Sequence, residues 1–255
     1  MNCSKPHILL FIILILAACA PTPEEMSNAA LKTFSEQIEI AATIQTEIDS
    51  IPTYMRGVWL CTYEETARYD DLTTEKIETL PCTVSVEYTD RFAVVSANGI
   101  PNHDFESGPG CCAEPQQYVW RIPLQPIMAS ESKFAPERGA VAISVNGVPF
   151  YGPEDGPGGD AVAAHHDYYV EDRQPISLGI CGGHAGPGGT YHYHYDASCV
   201  HWHPDEPETS WETWSTDLLQ DDEVSPVIGF AFDGHPIYGP YGYDTNGKLK
   251  EMTSS

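Results

Sequence analysis

Histidine is concentrated in one short part of this sequence. Five of the ten histidines fall between positions 184 and 203, and His192 and His194 alternate with tyrosines from Tyr191 to Tyr195. Alternating aromatic residues are typical of a β-strand, and side chains two positions apart project from the same face of a strand. His192 and His194 are therefore expected side by side, as a chelating pair for a transition metal such as zinc or copper.

Further ligands are available on both sides of this strand. The glycine-rich run at positions 182–189 predicts a loop that returns His184 over the strand, which makes His184 the best third ligand. His201 and His203 follow a short turn and are additional candidates. Three imidazoles with an open position suit zinc, whose bound water becomes a nucleophile near neutral pH. Histidines close to tyrosines also suit copper, so the identity of the metal stays open.

Other polar residues are candidates for holding the ligating imidazoles in place. Asp167 and Asp233 are assigned this supporting role, because a carboxylate commonly accepts the second N–H of a ligating histidine. His235, in the same turn as Asp233, is assigned to the same group. His103 follows an Asn-Gly turn and is expected on the same rim. The alternative for the whole cluster is an aromatic strand whose histidines form hydrogen bonds inside a β core.

The same residues carry a family resemblance. Cys181-x-Gly-His184 followed by Gly189-x-Tyr-His-Tyr-His194 resembles the signature of the YHYH-domain family, a group of mostly secreted bacterial proteins. The segments Asn146–Pro153 and Gly229–Pro240 extend the resemblance over roughly the region from Ala97 to the last residue. The family implies no settled biochemical activity.

Two features depart from that family pattern. Family members commonly carry an acidic residue two positions before the cysteine, where this chain has Gly179. The resemblance also implies a further histidine-rich segment beyond Ser255. The domain is therefore either a C-terminally incomplete piece or a short member of the family.

Residues 1–18 have the composition of a lipoprotein signal peptide. Lys5 supplies a short positive region, and the apolar run at 8–16 is shorter than the roughly 20 residues of a membrane-spanning helix. Leu16-Ala-Ala-Cys19 resembles a lipobox, which predicts cleavage before Cys19 and its acylation. Ala20 is unlike the aspartate that retains lipoproteins at the inner membrane. The predicted location is the cell envelope, at the outer membrane in a Gram-negative host, with an uncleaved membrane anchor as the alternative.

The envelope location predicts disulfides. After removal of the signal peptide and acylation of Cys19, six cysteines remain: Cys61, Cys82, Cys111, Cys112, Cys181 and Cys199. Six cysteines allow fifteen connectivities. A local pairing of Cys61 with Cys82 is expected, and the two adjacent cysteines are expected to have different partners. A bond between Cys181 and Cys199 would link the ends of the histidine-bearing strand, with thiolate ligation of a metal as the alternative.

The remaining pattern predicts one helix followed by many short strands. An apolar stripe over residues 27–50 ends before Pro52, so residues 19–53 are expected to be a lipid-anchored spacer with a helix. From Tyr54 to Ser255 we expect a mainly β, sandwich- or barrel-like single domain with turn-rich loops. Its predicted strands include residues 56–63, 83–88, 92–96, 118–122, 140–145 and 227–232.

Three similar turns interrupt these strands. Asn98-Gly-Ile-Pro101, Asn146-Gly-Val-Pro149 and Asp233-Gly-His-Pro236 each follow a predicted strand. Asn-Gly and Asp-Gly place glycine where a positive φ is needed, which predicts hairpin-type turns. The three elements are either units of an internally duplicated sheet or ordinary turns.

The overall charge excludes one class of partner. A formal net charge of −25 disfavours binding of nucleic acid, whose phosphates demand a basic surface. The leading function is a membrane-anchored extracytoplasmic metal-binding protein. One alternative is a zinc hydrolase or copper oxidoreductase using His184, His192 and His194. The other is a glycan-binding or adhesion module that makes contact through aromatic side chains: Tyr193, Tyr195, Trp202, Trp211 and Trp214. The predicted partners are the membrane and the metal ion, and the sequence does not identify a protein partner.

Overall fold

The computed structural model describes residues 28–63, 65–72, 74, 77–107, 112–131, 133–136, 138–152, 178–179, 182–194, 199 and 223–252. The chain divides into two compact units, residues 1–51 and 52–255.

The first unit contains the predicted helix. Helix α1 spans Asn28–Ser50, and Pro52 follows soon after, where its ring and missing N–H oppose further helical turns. The apolar side chains of Ile38 and Ile40 are more than half exposed within the chain. No helix among the described residues is both long and apolar enough to cross a membrane.

The second unit is built from short strands. After a 3₁₀ turn at Thr53–Met55, the strands in chain order are β1 (Glu65–Asp70), β2 (Ile77–Cys82), β3 (Val84–Tyr88), β4 (Phe92–Ala97), β5 (Phe105–Glu106), β6 (Tyr118–Pro123), β7 (Ala140–Ser144), β8 (Pro149–Tyr151), β9 (Gly183–Ala185), β10 (Tyr191–Tyr193), β11 (Val227–Ala231), β12 (Pro236–Tyr238), β13 (Tyr241–Tyr243) and β14 (Leu249–Glu251). The protein is therefore mainly β with one N-terminal helix, as the sequence predicts.

These strands form several small sheets. The largest has the order β12-β11-β7-β8-β10-β9, and the others are β2-β1-β5, β3-β4-β6 and the hairpin β13-β14. None of the described sheets closes into a barrel. The architecture is sandwich-like, with Phe230, Ile143 and Val95 fully buried in its core.

Two of the three similar turns form equivalent, adjacent hairpins in the large sheet. The β7–β8 and β11–β12 hairpins lie side by side because β7 pairs antiparallel with β11. In each turn the Asx side-chain oxygen accepts the amide two residues later, from Val148 to Asn146 and from His235 to Asp233, both at 3.2 Å. The Asn98 turn has the same Asx contact with Ile100 but leads into a loop.

The glycines of these two hairpin turns bring two sheets into contact. Gly147 and Gly234 have φ values of 84° and 95°. A Cβ on Gly147 would lie 2.6 Å from the Cβ of Ala97, and one on Gly234 would lie 2.6 Å from the carbonyl oxygen of Pro123. Both neighbours belong to the β3-β4-β6 sheet. Only glycine therefore permits both the turn and the close approach.

The predicted strand over residues 56–63 is not a strand in the structure. Gly57 and Cys61 have positive φ values of 66° and 56°, which interrupt the extended conformation. The segment instead makes single backbone hydrogen bonds, from Leu60 to Val145 and from Val84 to Cys61, both 2.9 Å long.

One predicted disulfide is present among the described residues. Cys61 and Cys82 are bonded, with their Cα atoms 5.4 Å apart. Cys112 and Cys199 each take part in a disulfide as well. Cys111 and Cys181 lie outside the described residues, so the pairing of Cys181 with Cys199 stays a prediction.

Candidate functional site

A β-hairpin at the end of the large sheet carries the histidine cluster. Strands β9 and β10 pair antiparallel, and His184 stands directly opposite His192 in their register. The turn between the strands is closed by a hydrogen bond from the Gly186 amide to the Thr190 carbonyl, 2.9 Å long. Immediately after β10, the His194 amide donates to the Gly182 carbonyl over 2.8 Å. The hairpin therefore brings one histidine from β9 and two from the YHYH segment to the same face.

The side chains of these histidines converge on one point. The Nε2 atom of His194 lies 3.1 Å from Nε2 of His192 and 3.3 Å from Nε2 of His184. One nitrogen from each of the three rings falls within 4.8 Å of the others, which makes the cluster a candidate for a metal ion. Among the described residues no other group of histidine, cysteine or carboxylate side chains meets this criterion.

Backbone carbonyls fix the orientation of two rings. Nδ1 of His192 lies 2.9 Å from the Thr190 carbonyl oxygen, and Nδ1 of His194 lies 3.1 Å from the Gly152 carbonyl oxygen. A carbonyl oxygen can only accept, so each Nδ1 carries the hydrogen. In the neutral ring the Nε2 atom then has a free lone pair. The nitrogens that converge are therefore the ones able to bind a cation.

A tyrosine ring covers one side of the cluster. The ring of Tyr151 stacks on His192 with centroids 3.9 Å apart and an interplanar angle of 19°. His192 is only 4% exposed, whereas His184 and His194 are partly exposed. Burial, with a smaller contribution from the neighbouring His184, lowers the pKa of His192 from 6.5 to about 3. His192 is therefore neutral at physiological pH and its Nε2 is available.

A buried polar network lies behind the cluster, on the other face of β10. The Tyr193 hydroxyl is 2.7 Å from Nε2 of His103 and 3.0 Å from the Asn146 amide nitrogen. The Asn146 amide nitrogen also donates to Oδ1 of Asn102 over 3.0 Å. Burial raises the pKa of the Tyr193 hydroxyl, so it stays protonated. His103 was expected on the rim with the other histidines; the structure buries it behind the strand instead.

The remaining sequence candidates have different outcomes. Asp233 and His235 do not belong to the cluster, and Oδ1 of Asp233 accepts the His235 amide within their own turn. The acceptors for His192 and His194 are carbonyls and not the expected carboxylates. Several other candidates lie outside the described residues: Cys19, Asp167, Tyr195, His201, Trp202, His203, Trp211 and Trp214.

Sequence reasoning missed the contributions of β8. Tyr151 and Gly152 supply the stacked ring and the carbonyl acceptor, yet they lie about 40 residues before the histidines they contact. The available signal is the Asn146–Pro153 segment, which the sequence indicates only as a turn at Asn146–Pro149 and as part of the family resemblance. No periodicity within that segment indicates which distant side chain it touches.

The chain is similar in sequence to a known protein family. A family model described as YHYH protein matches residues 119–255, which includes all three histidines of the cluster and β8. No curated protein and no solved structure has significant similarity to the chain.

Proposed function

This chain belongs to the YHYH protein family, and we propose that it is an extracytoplasmic metal-binding protein, held at a membrane by a lipid on Cys19. The proposed ligands are His184, His192 and His194, and the proposed ion is copper or zinc. His201 and His203 are retained as additional candidate ligands.

One observation carries this proposal: two imidazoles turn their lone pairs toward each other. The Nδ1–H groups of His192 and His194 are held by carbonyls, and their Nε2 atoms are only 3.1 Å apart. Two neutral rings in this state cannot form a hydrogen bond to each other, because neither Nε2 has a hydrogen to donate. A cation between the nitrogens makes the arrangement favourable. Carbonyl acceptors on the opposite nitrogen are also the usual support of metal-bound histidines.

The spacing of the nitrogens supports the same conclusion. A tetrahedral ion with metal–nitrogen bonds of about 2.0–2.1 Å keeps two nitrogen ligands about 3.4 Å apart. The separations of 3.1 and 3.3 Å from His194 to the other two rings are close to this value. Imidazole is a suitable donor for both zinc and copper.

A proton is the competing occupant. If one ring were protonated at Nε2, it could donate a hydrogen bond to a neighbouring ring, and the cluster would need no metal. The two occupants differ in one measurable respect, since only a metal-binding site yields a stoichiometric ion after purification.

Elemental analysis tests the proposal. The full chain is produced by secretion without a histidine tag, solubilised in detergent, and analysed for copper and zinc beside the double variant His192→Ala/His194→Ala. We expect about one equivalent of metal in the wild type and a loss of at least tenfold in the double variant. Far-ultraviolet circular dichroism verifies that the double variant is folded.

The matched control is His235→Ala, which removes a histidine outside the cluster. It is expected to keep the metal content of the wild type. Absence of metal from the wild type, even after reconstitution with either ion, would contradict the proposal. Equal loss from the control and the double variant would show binding that does not depend on the cluster.

A metal-dependent enzyme is the second candidate, favoured by the partial exposure of His184 and His194. Three protein ligands leave an open coordination position, which zinc sites use for an activated water and copper sites use for exchangeable ligands. The visible absorption spectrum of the copper-loaded protein, recorded during addition of azide, distinguishes the enzyme from a pure binding protein. Azide that binds at an open coordination position would change the spectrum. A pure storage site with a closed coordination sphere would show no spectral change.

A further inference from the structure

We infer that Asn146 and Tyr193 are positioning residues of the histidine cluster, because their hydrogen bond holds β8 in place against β10. The metal-related part of this inference rests on the proposed function. The orientation of the His194 ring is a consequence that exists with or without a metal.

The argument starts from the unequal backbone pairing of β10 with its two neighbours. Strand β10 pairs with β9 through three residue pairs, from Tyr191 with Ala185 to Tyr193 with Gly183. Its pairing with β8 consists of a single pair, Tyr193 with Phe150. The β9–β10 hairpin therefore has its own ladder. Strand β8 is paired with β7 on its other side, and its position relative to β10 depends more on side-chain contacts.

Strand β8 and the residue after it make two contacts that the cluster depends on. The Tyr151 ring stacks on His192, and the Gly152 carbonyl accepts the Nδ1–H of His194 over 3.1 Å. A shift of β8 away from β10 would lengthen this hydrogen bond. The His194 ring could then rotate or exchange tautomers, and its Nε2 would no longer be held toward the other two rings.

Asn146 connects the turn before β8 to the last residue of β10. Its Oδ1 accepts the Val148 amide over 3.2 Å, which shapes the turn that leads into β8. Its amide nitrogen donates to the Tyr193 hydroxyl over 3.0 Å. Asn146 and Tyr193 are both fully buried, where loss of a hydrogen-bond partner is costly.

His103 fixes the direction of the Tyr193 hydroxyl. Nδ1 of His103 donates to the Asp104 carbonyl over 2.9 Å, so its Nε2 accepts the hydroxyl hydrogen of Tyr193 over 2.7 Å. The hydroxyl oxygen is then free to accept from Asn146. Tyr193 thus makes two directed hydrogen bonds behind the strand, while His192 and His194 on either side of it face the cluster.

The test compares Tyr193→Phe with Tyr88→Phe. Both changes remove a hydroxyl that makes two hydrogen bonds, since Tyr88 donates to the Met55 carbonyl and accepts from the Trp59 indole. Tyr88 lies on β3, in a different sheet. For Tyr193→Phe we expect a roughly tenfold weaker Cu²⁺ affinity, as is typical of lost supporting contacts, and altered copper hyperfine splitting in the electron paramagnetic resonance spectrum. Tyr88→Phe is expected to keep the affinity and spectrum of the wild type.

A metal-free measurement separates this inference from the proposed function. The ¹⁵N shifts of the His194 imidazole report which nitrogen carries the hydrogen, and we expect Nδ1–H in the wild type and a tautomer mixture in Tyr193→Phe. If the wild type binds neither copper nor zinc, the proposed function fails and this comparison still decides the inference. Wild-type tautomer in a folded Tyr193→Phe variant would overturn it.

A second variant protects the test against misfolding. Asn146→Ser keeps a short side-chain oxygen for the turn, but its side chain is one atom shorter than that of asparagine and lacks the amide nitrogen that donates to Tyr193. If circular dichroism shows that Tyr193→Phe is unfolded, the His194 tautomer, the Cu²⁺ affinity and the copper spectrum are measured in Asn146→Ser, with the same expected changes. Wild-type values in a folded Asn146→Ser variant would overturn the inference.

Discussion

At the scale of single residues, burial determines what His192 can do. Its ring is 4% exposed and covered by Tyr151. Desolvation disfavours the charged imidazolium, which explains why its pKa falls to about 3. A proton therefore competes weakly for Nε2 of this residue, and its lone pair stays available well below neutral pH.

The same burial makes the stability of the metal-free protein depend on pH. In the unfolded chain His192 has a pKa near 6.5, compared with about 3 in the folded protein. Between these values the unfolded state binds more protons, so the free energy of unfolding falls as pH falls, by about 1.4 kcal/mol per pH unit at most from this residue. Above the unfolded pKa the contribution is constant. Urea titrations in the presence of a chelator, from pH 7.5 to 4.5, measure the dependence.

The variant His192→Phe isolates this effect. Phenylalanine keeps an aromatic ring against Tyr151 but binds no proton, so the variant is expected to lose less stability than the wild type as pH falls. His235→Phe, outside the cluster, should keep the wild-type slope. Identical slopes in the wild type and His192→Phe would show that His192 is protonated equally in both states.

At the scale of elements, the β9–β10 hairpin depends on a glycine beside the first ligand. A Cβ on Gly183 would lie 2.7 Å from the Tyr191 hydroxyl oxygen and 2.8 Å from the His192 carbonyl oxygen. The carbonyl belongs to the paired strand and cannot move without it. In Gly183→Ala we therefore expect β9 to separate from β10, with a stability loss of about 1–3 kcal/mol and at least tenfold weaker metal affinity, measured by urea unfolding and competitive titration.

Gly242→Ala is the matched control for this prediction. It lies in the β13–β14 hairpin, and its Cβ would meet only the flexible side chain of Met252, at 3.3 Å. We expect wild-type metal affinity from this variant. Wild-type affinity in Gly183→Ala as well would mean that the spacing of β9 and β10 does not determine the geometry of the cluster.

The same hairpin shows how far sequence reasoning reaches. The alternation of tyrosine and histidine predicted the common face of His192 and His194, and the glycine-rich run predicted the return of His184; the structure brings the three together. Local periodicity is sufficient because these residues lie within one hairpin. The Gly152 acceptor and the Tyr151 stack depend on pairing between β8 and β10, which no local pattern encodes.

The strand boundaries were predicted less well than the histidine cluster, because local periodicity is weak in short strands. Several strands of the large sheet have only three residues, as in β8 and β12, which is too short for alternation to be recognised. The 56–63 segment has strand-like composition, but the positive φ of Cys61 interrupts it. Cys61 is held by its disulfide to Cys82, and a tertiary constraint of this kind overrides local β propensity.

At the scale of the whole molecule, the large sheet contains two equivalent hairpins that lie side by side and have different neighbours. Strand β8 of the first hairpin pairs with β10 and contributes to the histidine cluster, whereas β12 is the last strand of the described sheet. The corresponding segments Pro149-Phe-Tyr-Gly152 and Pro236-Ile-Tyr-Gly239 are alike in sequence. Tyr151 stacks on His192, while Tyr238 is 47% exposed. Similar segments thus have different roles, and the strands beside each segment determine its role.

The last prediction concerns attachment of the whole molecule to a membrane. The formal charge of −25 gives the protein no electrostatic attraction to anionic lipid, so a stable attachment requires apolar contact. Acyl chains on Cys19 would supply about 0.8 kcal/mol for each buried CH₂ group. In Cys19→Ser we therefore expect loss of acylation by mass spectrometry and a shift from the detergent phase to the aqueous phase of Triton X-114. Wild-type partitioning of an unacylated Cys19→Ser variant would instead place the anchor in another segment, such as an uncleaved apolar run at 8–16.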